Sequence, residues 1–172
     1  MNYLKFRIMK NLILILSMLV IVLACKEETP SAFYLNTNFN FYIEDINGED
    51  LLSYSHPNGI NREDIKVYYM VDGTYELVLP NDRSYANGYS IIAPSQLSDS
   101  KGKTHHTFRL ATNADNLVDD KSLTLISWGN DDADTVMTQY SISGNSKALN
   151  KISFNGGELL SGAELIDFTI VK

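Results

Sequence analysis

Asp131, Asp132 and Asp134 fall in the run Gly-Asn-Asp-Asp-Ala-Asp that begins at Gly129. Three carboxylates and the Asn130 amide could supply oxygen ligands to Ca²⁺, a hard cation that prefers such donors. Asp45-Ile-Asn-Gly-Glu49 is a second oxygen-rich turn with a glycine at its bend. Neither follows the twelve-residue EF-hand pattern with its terminal Glu. The competing reading is a polar inter-strand loop, where Asp and Asn bond their own backbone. The three histidines are His56, His105 and His106. Strand neighbours point to opposite faces, so a strand carrying His105 and His106 cannot direct both at one metal. Surface or edge histidines are the expectation. Tyr85 and Tyr89 flank Asn87-Gly88, and Trp128 precedes the acidic run. Such rings could stack on sugars, having an apolar face and a polar tip; otherwise they fill a core.

Catalytic patterns are missing from the sequence. It contains no Gly-x-Ser-x-Gly elbow, no Walker A loop, no Gly-x-Gly-x-x-Gly and no His-Glu-x-x-His. Asp119-Asp120 is a carboxylate pair, but glycoside hydrolysis needs two carboxyls facing each other across a cleft. The expectation is a protein that is not an enzyme and has no cofactor, with Ca²⁺ at the acidic run as the alternative.

The elements that would position these residues read as strands. Phe39, Phe41 and Ile43 alternate, and Ile65, Val67, Tyr69 and Val71 alternate in a second run. Asp72-Gly73 follows at once, and Tyr75, Leu77 and Leu79 alternate after it. Asp-Gly between two alternating runs is the strongest short-range hairpin signal, because both central residues need positive φ. Further strands are expected at Tyr89–Ile92, Thr104–Leu110, Leu123–Trp128, Val136–Ile142, Lys151–Phe154 and Leu165–Val171. Asn113–Asp120 could hold one helical turn. The pattern predicts an all-β antiparallel sandwich of about eight or nine strands, with a small β-barrel as the alternative.

The N-terminus has a different character. Lys5, Arg7 and Lys10 precede an apolar run from Leu12 to Ala24. A spanning helix needs about 20 residues, whereas this length suits a signal-peptide core. The single cysteine, Cys25, follows directly. Val22-Leu23-Ala24-Cys25 resembles the lipobox of bacterial lipoproteins. The resemblance implies cleavage before Cys25, with acylation (palmitate among the chains) of the new N-terminus. Lys26-Glu27-Glu28 resembles the acidic export signal of Bacteroidetes lipoproteins, which implies the outer face of the outer membrane. The expected organisation is therefore a removed signal at 1–24, a lipidated tether at 25–37 and one domain at 38–172.

The whole chain carries a formal charge of −7. The signal removes three basic residues and no acidic ones, leaving 11 Lys and Arg against 21 Asp and Glu, a charge of −10. Clustered cations for phosphate are lacking, which argues against nucleic acid. Anionic headgroups would repel such a domain, so the lipid must hold it at the membrane.

The mature chain also resembles short uncharacterised Bacteroidetes lipoproteins. The similarity lies in Asp45-Ile-Asn-Gly-Glu-Asp-Leu-Leu52, Ile65-Lys-Val-Tyr-Tyr69 and Ile126-Ser-Trp-Gly-Asn-Asp-Asp-Ala-Asp-Thr135. It implies a surface or periplasmic lipoprotein domain and carries no site residues with it. The leading functional expectation is a lipid-anchored accessory or interaction domain of an outer-membrane complex. The alternative is a solitary module that binds carbohydrate, or a ligand through Ca²⁺.

Overall fold

Alternating apolar residues build two sheets that close on one core. The computed structural model describes residues 33–79, 87–94, 104–165 and 168–172. The larger sheet contains β1 (Phe33–Asn36), β3 (Lys66–Val71), β4 (Thr74–Leu77), β7 (Lys121–Gly129), β8 (Asp132–Ser143), β9 (Ser146–Phe154) and β10 (Leu160–Ser161). Its order is β1-β9-β8-β7-β3-β4, with β10 also on β9. The smaller sheet contains β2 (Asn38–Glu44), β5 (Tyr89–Ile92), β6 (Thr107–Ala111) and β11 (Thr169–Val171), in the order β11-β2-β6-β5. Pairing is antiparallel except for β1 on β9 and β11 on β2. The molecule is an all-β sandwich, and neither sheet closes into a barrel.

Inward side chains of the smaller sheet are Phe39, Phe41, Ile43, Phe108 and Leu110; the larger sheet answers with Val67, Ile126, Trp128, Val136 and Ile152. Leu51 and Leu52, which follow the acidic turn at 45–50, seal this end of the core. Burying one such side chain contributes about 1.5–3 kcal/mol. In β7 the burial alternates without a break from Lys121 to Trp128, as the period of two requires.

The turns follow local chemistry. Asp72 and Gly73 have φ of 48° and 83°, the two positive values of a type I′ hairpin. The acidic run makes the same kind of turn rather than an open loop. Asn130 and Asp131 have φ of 49° and 62°, and Gly129 pairs with Asp132 across them. Asp119 and Asp120 form a third tight turn, with φ of 50° and 61° between the mutually bonded Val118 and Lys121. These carboxylates are turn residues, and no helical turn forms at 113–120.

Three elements differ from the sequence reading. Phe33–Asn36, within the stretch read as tether, forms β1 against β9. The last apolar run is split: Gly162–Leu165 is a 3₁₀ turn, and only Thr169–Val171 is strand. Strand β6 begins at Thr107, not Thr104, because the backbone N–H of His106 donates to the Asp50 carboxylate instead of to a neighbouring strand. Tyr42 and Glu44 break the outward-polar rule of β2 by being buried. His105 covers them, edge-on to the Tyr42 ring and 3.5 Å from the Glu44 carboxylate.

The outward face of the larger sheet is apolar near its β4 edge. Val67 and Tyr69 pack on the core, so Tyr68 and Met70 point the other way. Leu77, Tyr68 and Leu125 stand in one cross-strand row; Tyr75 pairs with Met70, and Leu123 with Met137.

Candidate functional site

Most of the sequence's chemical side chains gather at one end of the sandwich. There the long connection from β2 to β3 meets the β7–β8 hairpin around a cleft of about 560 Å³. Asp45, His56, Asp64, Trp128, Asp132 and Lys172 are among its lining residues. Gly129 permits the approach of the two segments: a Cβ there would lie 2.9 Å from the Asp64 Cβ. Its φ of 90° independently favours glycine.

On the hairpin side, the carboxylates are bound by protein groups. Asp134 is buried in β8 and accepts from Trp128 Nε1 at 2.7 Å, from Asn155 Nδ2 at 2.7 Å and from Lys172 Nζ at 2.9 Å. Lys172 Nζ also donates to both oxygens of Asp132 at 2.8 Å. An ammonium thus occupies the space between Asp132 and Asp134. Asp131 sits at the exposed tip and does not join them. Burial raises the Asp134 pKa, but hydrogen bonds from Asn155, Lys172 and Trp128 outweigh it, so the carboxyl stays below its ordinary value.

Trp128 is a core residue rather than an exposed platform. It is 4% exposed and meets Phe108 edge-on. Tyr89 stacks on the other side of Phe108, with ring planes 10° apart, and its hydroxyl donates to the Arg62 carbonyl. Neither ring is presented as a stacking face for sugar. Tyr85 lies outside the described residues, as do Cys25, Lys26, Glu27 and Glu28.

The opposite wall is the turn after β2. Asp45 accepts the backbone N–H groups of Asn47 and Glu49 through Oδ1, both at 2.8 Å, and the Asn47 side-chain amide through Oδ2 at 3.0 Å. This is an Asx turn, closed by Gly48 at φ 80°. The Glu49 amide is the main influence holding the Asp45 carboxyl below its ordinary range. Every histidine of the chain comes to this turn and its flanks. His106 donates from Nδ1 to Asp50 at 2.7 Å. His105 donates from Nε2 to the Gly48 carbonyl at 3.2 Å. His56 Nε2 lies 3.4 Å from Glu49 Oε2 and 3.7 Å from Asp45 Oδ2.

The sequence reading did not find this convergence. His56 and His105 are remote in the chain, and only the loop's return past β6 brings them together. The Asp45-x-x-x-Glu49 spacing was the legible part. Among the described residues, one group of His, Asp and Glu side chains has metal-binding proximity: Asp45, Glu49 and His56, with one ligand atom of each within 4.8 Å of the others. No helix among the described residues is long and apolar enough to cross a membrane. The chain matches no protein-family model, no curated protein and no solved structure.

Proposed function

We propose that this chain is a non-enzymatic lipoprotein, anchored through Cys25 at the outer surface of the outer membrane, where its sandwich docks on a membrane-protein partner. The observation that carries the docking reading is the outward face of the larger sheet. Tyr68, Met70, Leu123, Leu125 and Met137 lie on adjacent strands there, with Tyr75 at 36% and Leu77 at 44% exposure on the edge strand. A row of apolar side chains ending in exposed rings and aliphatics at a sheet edge is the kind of surface that interaction sites use. The remainder of the reading rests on the lipobox-like sequence ending at Cys25, on Lys26-Glu27-Glu28, and on the missing catalytic motifs.

Purification of the tagged chain from native membranes in mild detergent tests it. The expected result is one outer-membrane protein in stoichiometric amount, lost in Tyr75→Glu/Leu77→Glu while the fold survives. A chain that purifies alone from these membranes would sink the docking reading. Cys25→Ala should release the protein into the soluble fraction; retention on membranes after a high-salt wash would contradict lipid anchoring.

A further inference from the structure

His56 is the least satisfied histidine of the molecule. Its side chain is 6% exposed, and Nε2 has no hydrogen-bond partner. Buried nitrogens are rarely left in this way. This one faces two carboxylates, at 3.4 and 3.7 Å, without a hydrogen bond to either. We propose that Asp45 Oδ2, Glu49 Oε2 and His56 Nε2 form a binding site for a divalent transition cation of the zinc class. The inference is independent of the docking reading.

Two of the three donor separations are those of ligands around a small cation, and all three donors lie within 4.8 Å of one another. Metal–ligand bonds of about 2.0–2.2 Å at tetrahedral angles put neighbouring donors about 3.4 Å apart. The two distances to Nε2 are 3.4 and 3.7 Å. The imidazole selects the metal, since Ca²⁺ and Mg²⁺ prefer oxygen donors alone, whereas nitrogen with carboxylate suits Zn²⁺ and its neighbours. The Glu49 side chain is 64% exposed, so the site opens to solvent and leaves room for a fourth ligand, as catalytic or exchangeable sites do. Asp45 is oriented in advance by Asn47, whose side-chain amide holds Oδ2, an outer-shell contact of the kind that fixes metal ligands.

Binding must change the histidine tautomer. The Asn58 backbone N–H donates to His56 Nδ1 at 3.1 Å, so without a cation the ring proton is on Nε2. With the cation on Nε2, the neutral ring carries its proton on Nδ1, and the exposed Asn58 amide turns to water. The imidazole's net charge is unchanged.

The test uses the full chain in mild detergent, stripped with chelator and titrated with Zn²⁺, Ca²⁺ or Mg²⁺ alone. Zn²⁺ should bind at one equivalent and raise the melting temperature, with Ca²⁺ and Mg²⁺ having no effect. His56→Gln and Glu49→Gln should each weaken Zn²⁺ binding at least ~10-fold. Nitrogen NMR of the parent should show the His56 proton moving from Nε2 to Nδ1 with zinc. Glu49 is exposed, so Glu49→Gln keeps the test valid if His56→Gln fails to fold. No binding of Zn²⁺ by the parent, or unchanged affinity in Glu49→Gln, would overturn the assignment. A Ca²⁺ response at the same carboxylates that is indifferent to His56→Gln would overturn it too.

Discussion

The two acidic segments at the cleft have similar composition and opposite fates. At 129–134 two of the three carboxylates, Asp132 and Asp134, are consumed by the fold. Asp134 holds an indole, an amide and an ammonium, and Lys172 neutralises Asp132 beside it. At 45–49 the carboxylates face a buried imidazole nitrogen that no protein group satisfies. Acidic content alone therefore does not mark a cation site. A cation site requires charge left uncompensated by the fold, and the partner side chains decide that.

The largest expected effect comes from breaking the consumed side. Asp134→Ala leaves the buried Trp128 N–H and the Lys172 ammonium short of a partner and should destabilise the domain by ~3–5 kcal/mol in urea unfolding. The equivalent Asp45→Ala removes bonds in an exposed turn and should cost much less. If the two losses were equal, the contrast between a structural and an available cluster would fail.

Next comes the close approach of Gly129 to the Asp64 side chain. Gly129→Ala combines a strained φ with a Cβ only 2.9 Å from that of Asp64, and should cost ~2–3 kcal/mol. Gly48→Ala is strained in φ alone, its nearest neighbour being the end of Glu44 at 4.0 Å, and should cost ~1 kcal/mol. Thermal unfolding of the pair measures the difference.

Acid sharpens the comparison further. Asp134 and Asp45 both lie below their ordinary value of 3.8. A carboxyl with a depressed folded value binds fewer protons folded than unfolded, so stability rises with pH over that interval. The contribution is complete above the unfolded value and is lost as pH falls through the folded one. Below about pH 4 the parent should therefore lose stability, and Asp134→Asn should flatten that slope. Asp45→Asn should flatten it less, because solvent screens the exposed turn. Urea midpoints measured down the acid range give both slopes. The smallest effect is on Glu49→Gln, whose metal-free stability should change by no more than ~0.5 kcal/mol. A larger loss would mean that Glu49 belongs to the fold, as Asp134 does.

Much of the architecture was legible one residue at a time. Strand alternation and turn chemistry are local, so Asp72-Gly73 announced its hairpin and Leu123–Trp128 its alternation, but not which of its two faces is buried. The acidic run was legible as an inter-strand loop but not as a tight turn, and its carboxylates were not legible as partners of Trp128 and Lys172. One of those bonds spans 40 residues, and no local period encodes it. Trp128 looked like an exposed ring beside a polar loop, but β7 alternation continues through it and points it inward.

By itself the amino-acid order determined the all-β class and the Asp72-Gly73 hairpin, because these follow from φ preference and a period of two. Tertiary structure alone decided which acids are neutralised and which face His56. Strand pairing and loop return bring distant side chains within hydrogen-bond reach, and at that range burial and partner count set the chemistry of each carboxylate.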